Sequence, residues 1–255
     1  MAVYAPDNKD SFPRAGGERS IWSDRGSLKR WWAADQDDAF GAVRDGDDNI
    51  TTAGEATVTS SLYLLVKYAS VTPAQFICKG DEAQVFKMPD RGQGANLRLE
   101  EVWDFGYWSG SHRDPPGVFN SYAYNMPYTW NPPTAPGQTE IPGGTSFVID
   151  DAFNPGSAVA ADRNPHLDNR AETDTSTDRN CTAHQDKGQN VLYKDNSVAW
   201  RDGVTYGLAG DNIYTHGGRL DTGFGVEDGE IPKGNGDGGP NGRPDSYLVS
   251  EKNYH

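Results

Sequence analysis

Basic residues are scarce in this chain. Its 23 Lys and Arg stand against 37 Asp and Glu, leaving a formal charge of −14. An anionic surface with no basic stripe repels a polyanion, so nucleic acid is excluded as a leading partner. Long apolar runs are missing too. Nothing approaches the roughly 20 apolar residues of a membrane-spanning helix, and the N-terminus has neither the basic start nor the apolar stretch of a signal peptide; the chain as it stands reads as soluble. Cysteine is limited to Cys78 and Cys181. Two are too few for a disulfide framework; they either form one bridge in an oxidising compartment or stay free and buried.

Motifs that carry chemistry are equally sparse. The five histidines, His112, His166, His184, His216 and His255, are scattered, with no HExxH and no two-histidine ligand spacing, so no zinc site is expected. There is no GxSxG elbow, no P-loop, and no GxGxxG between a strand and a helix. With so many carboxylates, a glycosidase-like acid pair can be imagined anywhere, and abundance is no argument for one.

What the chain does have is glycine and proline, 30 and 16 of them, with 35% hydrophobic residues. That composition predicts short elements joined by many loops rather than long helices. Asp residues in Gly- and Asn-rich loops leave calcium open, since that cation takes oxygens from flexible backbone. The best candidate is the C-terminal loop 228–245, Gly/Asp-rich over 229–245, where Asp228, Asn235, Asp237, Asn241 and Asp245 can converge. The loop lacks EF-hand spacing, and a solvated acidic surface is the competing reading.

Along the chain, Met1, Val3 and Tyr4 within residues 1–14 resemble the last turn of a helix lying upstream, or a ragged terminus. The Trp22, Trp31 and Trp32 region is irregular, with at most a short helix near Ser27 to Ala34; its tryptophans plug a loop onto the core or stack on sugars, the former favoured. The clearest helix is capped by Ser60 or Ser61 and carries Leu62, Leu65, Val66 and Ala69 on one face. Thr72-Pro73 starts a second, short helix, leading into an extended Phe76-Ile77-Cys78. A brief helix or turn is predicted around Leu97 to Trp103, a strand over Phe119–Met126, and a surface loop from Pro127 to Gly144. Phe147-Val148-Ile149 and Ala158–Ala161 are short apolar runs, and 161–170 reads as too polar for core. Asn212–Thr215 and Ser246–Val249 are candidate last strands. No repeat and no composition shift divides residues 1–255, so one domain is expected.

The most informative stretch is HQDKGQNVLYKDNSVAW, His184 to Trp200. Two apolar runs flank Asp195-Asn196, a pair suited to a two-residue hairpin turn. His184, at the entrance, either hydrogen-bonds the turn at Asp195 or binds a metal with Asp162 or Asp186, the hydrogen-bonding role being favoured.

Several stretches together resemble one family: MAVYAPDNKDSFPR, SSLYLLVKYASVTPAQFIC, AVAADRNP, then HQDKGQNVLYKDNSVAW followed by DNIYT and DSYLV. They are similar to the pseudopilin-like proteins abundant in planctomycetes, marked by a histidine followed after about nine residues by Asp-Gly, within a segment like GQNVLYxDGHVxW. Here ten residues separate His184 from Asp195, and Asn196 stands where glycine is usual. Asparagine also reaches the left-handed region, so the turn survives.

The resemblance implies an α+β, pilin-like fold, an N-terminal helix packed on an antiparallel β-sheet with long loop insertions. It implies a globular head whose N-terminal stalk helix, the only route to the membrane, is missing here, with residues 1–14 as its remnant and exit. It also implies a location outside the cytoplasm, which favours the Cys78–Cys181 bridge, and a C-terminal calcium loop by analogy with major pseudopilins of type II secretion. The expected function is a non-enzymatic structural subunit of a type II secretion or type IV pilus-like filament, with self-association and other pilin-like subunits as partners. His184, Asp162, Asp195 and Asn196 are then a structural motif. The alternative is an extracellular glycan- or surface-ligand-binding module using Trp31, Trp32, Trp103, Trp108 and Trp130.

Overall fold

A computed structural model of the chain describes residues 4–8, 10–16, 21–22, 33, 35–47, 50–52, 54–88, 96–109, 112–128, 149–151, 153–167, 176–216 and 246–250. The regular elements are, in order, β1 (Ile21–Trp22), α1 (Gln36–Phe40), β2 (Val43–Arg44), β3 (Ile50–Thr52), β4 (Glu55–Ala56), α2 (Val58–Ala69), β5 (Tyr107–Ser109), β6 (His112–Asp114), β7 (Tyr122–Asn125), β8 (Ala158–Asp162), β9 (Gln189–Tyr193), β10 (Val198–Arg201) and β11 (Leu248–Val249), with short 3-10 turns between them. Five strands form the main sheet in the order β10-β9-β8-β7-β11, every neighbouring pair antiparallel. Three two-stranded pairs, β1–β4, β2–β3 and β5–β6, lie outside it. These elements make a mixed α+β chain, in line with the expected class. No helix among the described residues is long and apolar enough to cross a membrane.

Side chains alternate across a strand, and here both faces are covered. Tyr124, Val159 and Val249 join α2 and the aromatic residues Phe76, Phe86, Trp103 and Phe105 in one apolar cluster. Ala123, Ala158, Ala161, Val191, Tyr193 and Leu248 face the other way, onto Val204, Ile213 and Tyr214. This second layer explains why β8 reads as a continuous apolar run. Asn212–Thr215 is therefore a buried turn rather than a strand; Ile213 donates to the Val204 carbonyl, and its own carbonyl accepts from Leu248. Ser246–Val249 does supply a strand, β11, at the sheet edge.

The N-cap of α2 lies three to four residues before the expected Ser60 or Ser61. Thr57 is the N-cap, its hydroxyl oxygen accepting from the Ser60 amide at 2.9 Å. Ser60 and Ser61 instead lie buried within the first turn; the Ser61 hydroxyl accepts from the Ala15 amide at 3.1 Å and bonds the Tyr128 hydroxyl at 2.9 Å. What moves the cap is Asp104: the Thr57 hydroxyl donates to its carboxylate, which also accepts the Phe105 amide at 2.7 Å. The helix ends at Ser70 in the left-handed region, φ 54°. A 3-10 turn, Pro73–Phe76, follows where Thr72-Pro73 predicted a helix start, with the Thr72 amide donating to Gln75 Oε1 at 2.9 Å.

The β9–β10 hairpin forms as expected, with a longer turn. Asn196 donates to the Tyr193 carbonyl and Tyr193 to the Ser197 carbonyl, each at 2.9 Å, so Lys194–Asn196 make a three-residue connection. Asn196 takes the left-handed position at φ 65°, the site of a G1 bulge. The edge strand β10 leaves Val198 and Trp200 64% and 48% exposed, so only the β9 half of the hairpin contributes large apolar side chains to the core.

Asp104 is wholly buried, and burial pushes its carboxyl up to about 7, against the opposing bonds from Thr57, Phe105 and Thr59. A carboxyl raised in the folded state costs nothing while both states are protonated, and penalises the fold once the unfolded chain ionises and the folded one does not. The Asp104 contribution should therefore weaken folding progressively from about pH 4 to about pH 7, by on the order of 4 kcal/mol. Urea denaturation across that range should show Asp104→Asn flattening this component of the pH dependence.

Candidate functional site

Residues 161–164, expected to be too polar for core, are deeply buried: Asp162, Arg163 and Asn164 are each at most 1% exposed. They are tolerated inside because each is bonded. Arg163 Nη2 donates to the Gly117 carbonyl at 2.9 Å and to the Asn120 carbonyl, and pairs with Asp81 Oδ2 at 3.1 Å, with Nε adding a bond at 3.2 Å. Asn164 Nδ2 donates to the carbonyls of Tyr214 and Leu248 at 2.9 and 2.8 Å. The Asp162 carbonyl accepts the Tyr214 hydroxyl at 2.8 Å. The end of β8 thus ties four separate segments together.

The Asp162 carboxylate points to a different set of groups. Its Oδ2 accepts from the Asn190 amide at 2.7 Å and from Asn190 Nδ2 at 3.1 Å, and lies 3.0 Å from His184 Nε2. Cys78 Sγ sits 3.7 Å from the same imidazole nitrogen. Ligand atoms of Cys78, Asp162 and His184 all fall within 4.8 Å of one another. Asp162 is buried, while Cys78 and His184 are half-buried, so the cluster has one wet side. The exposed Trp200 flanks it, its ring edge-to-face with His184 at 5.2 Å between centroids.

Two local features deliver His184 to this place. It ends a 3-10 turn, Thr182–His184, closed by Gln185 and Asp186 both in the left-handed region at φ 59° and 57°. For residues other than glycine such conformations cost on the order of 1–3 kcal/mol each. The second feature is Gly80: a Cβ there would lie 2.3 Å from the Ala183 carbonyl oxygen. Absence of a side chain lets the 78–81 segment press against the His184 turn. Gly188, φ 147°, plays the matching role under Trp200, where a Cβ would meet the Arg201 carbonyl at 2.3 Å.

The expected pairing of His184 with the turn at Asp195 does not occur. Asp195 lies at the far end of the hairpin, where its Oδ1 accepts from Ser197 N and Oγ at 2.9 and 2.6 Å, bonds that hold its carboxyl below the usual range. Asp186 is not in the cluster either; its side chain is mostly exposed, 3.9 Å from Arg179. His184 and Asp162 are brought together, as one of the two readings of His184 required. The expected Cys78–Cys181 bridge is absent: both thiols are free. Cys78 faces His184, while Cys181 is buried, its thiol pushed up to about 12 chiefly by desolvation.

Of the five tryptophans considered for ligand stacking, Trp103 is buried in the core, its indole N–H donating to the Ala33 carbonyl at 2.7 Å. The side chains of Trp31, Trp32, Trp108 and Trp130 lie outside the described residues, as do all five calcium candidates, Asp228, Asn235, Asp237, Asn241 and Asp245. Sequence reasoning placed Cys78 only in a disulfide and missed Asp81, Arg163, Asn164 and Asn190. For Arg163 and Asn164 the signal was the string AVAADRNP, in which charged residues follow an apolar strand without a turn.

Chemically, the cluster is not a catalytic triad. In that arrangement one imidazole nitrogen meets the nucleophile and the other meets the acid; here Nε2 faces both the thiol and the carboxylate.

The buried Arg163–Asp81 pair gives a direct test of the polar brace. Arg163→Met leaves Asp81 buried without its cation and should cost about 3–5 kcal/mol in urea denaturation. Adding Asp81→Leu should recover part of that loss but not all, because the Gly117 and Asn120 carbonyls remain without their donor. Compared with family models, curated proteins and solved structures, the chain matches none.

Proposed function

We propose that the chain is the globular head of a non-enzymatic, pseudopilin-like subunit of an extracytoplasmic filament, of the type II secretion or type IV pilus kind. The observation that carries this reading is the inward use of the signature residues. His184 meets Asp162, Asp162 accepts twice from Asn190 at the start of the hairpin, and Asn196 makes the turn at its other end. Polar groups committed to bracing a hairpin against the central strand are suited to holding a surface rigid.

The order of elements also supports it: a buried helix, α2, precedes an antiparallel sheet whose edge is the signature hairpin. In such a subunit an apolar stalk drives packing while the acidic, loop-rich head presents the variable surface. Partners are copies of the same chain and other subunits of its kind.

Antibodies raised against the purified head should label filaments, or a sheared high-mass surface fraction, in the cell of origin. Label found only on a freely diffusing monomer would overturn the proposal. The head by itself, in dilute buffer, should sediment as a monomer or weak oligomer; self-assembly into filaments without a stalk would contradict the stalk-driven mechanism.

A further inference from the structure

We infer that Cys78, Asp162 and His184 bind a divalent transition-metal ion of the zinc type. The inference goes beyond the filament reading and stands independently of it.

Hydrogen bonding alone satisfies this cluster poorly. His184 Nε2 carries either one proton or one lone pair. With the proton, it donates to Asp162 Oδ2 at 3.0 Å and offers Cys78 Sγ, 3.7 Å away, no acceptor. With the lone pair, it can receive the thiol proton but faces the carboxylate oxygen with no hydrogen between them. A cation between the three atoms removes the conflict, since thiolate, imidazole and carboxylate are all its donors.

The geometry fits with small adjustment. Tetrahedral zinc holds sulfur at about 2.3 Å and nitrogen or oxygen at about 2.0–2.2 Å, which separates neighbouring ligand atoms by roughly 3.3–3.7 Å. The observed separations are 3.0 Å for nitrogen to oxygen and 3.7 Å for sulfur to nitrogen, with all three atoms inside 4.8 Å. One sulfur, one imidazole and one carboxylate select a borderline ion over calcium or magnesium, which take oxygen. A surrounding layer of the right kind is present: both Asn190 donors hold Asp162 Oδ2 in place. Three protein ligands leave a further position, on the half-exposed side beside Trp200, for water or a partner's side chain. Binding releases the Cys78 thiol proton to solvent and joins the 78–81 segment, β8 and the β9–β10 hairpin through one ion.

The test uses the full chain, stripped with chelator and titrated with Co2+ as a spectroscopic stand-in and with Zn2+. One equivalent of Co2+ should give a thiolate-to-cobalt charge-transfer band in the near ultraviolet, lost in Cys78→Ser and kept in Cys181→Ala. In the unaltered chain, Zn2+ should slow alkylation of Cys78 by iodoacetamide at least tenfold, read by mass spectrometry, and raise the thermal midpoint, with chelator reversing both. A folded, unaltered chain that shows neither the band nor protection of Cys78 would overturn the inference, as would a band that survives Cys78→Ser.

Discussion

The structure depends on one constraint, that the polar end of β8 must be fully bonded inside the protein. Asp162, Arg163 and Asn164 leave the central strand of the main sheet and are buried at once. Burying an unpaired guanidinium or carboxylate costs several kcal/mol, so the loops around this point have little freedom. Segment 78–84 must bring Asp81, segment 117–121 must turn its carbonyls inward, and the 212–215 turn must present Tyr214. The Gln84 amide on the Val118 carbonyl and the Ser121 amide on the Phe76 carbonyl then hold the first two segments side by side. A chain with so much glycine and proline is thereby given a defined loop structure without long elements to impose one.

The two halves of the core divide this work. On the α2 side the packing is aromatic: Tyr63, Phe76, Phe86 and Phe105 meet edge-to-face at centroid distances of 4.9 to 6.1 Å. Such contacts are large in area and tolerant in detail. On the other face three of the sheet side chains are small, Ala123, Ala158 and Ala161, and Ile213 of the covering turn makes backbone bonds with Val204 and Leu248.

Much of the framework was legible in the sequence. The helix over Leu62–Ala69, the start at Thr72-Pro73, β8, the hairpin and β11 all follow from local periodicity and turn chemistry, which are short-range signals. The errors share a cause. Thr57 displaced Ser60 as cap because Asp104, 47 residues away, anchors its hydroxyl. Residues 161–164 read as surface because polarity was judged without the partners Asp81, Gly117, Tyr214 and Leu248, all far off in the chain. The site was half legible: His184 and Asp162 were paired as an option, but Cys78, 106 residues before His184, belongs to no spacing pattern and was considered only with Cys181.

Which atoms converge, rather than which residue types, determines what the cluster can do. A cysteine, a histidine and an aspartate suggest nucleophilic catalysis when read as letters. The shared Nε2 departs from the triad arrangement, in which nucleophile and acid meet opposite nitrogens of the imidazole. The same sharing suits a three-ligand metal site, whose donor atoms must lie close together, and two bonds from Asn190 hold the carboxylate oxygen in place. The close approaches at Gly80 and Gly188 and the left-handed pair Gln185-Asp186 then have a common consequence. They hold three segments distant in sequence within reach of one another, at the entrance to the β9–β10 hairpin that forms one edge of the main sheet.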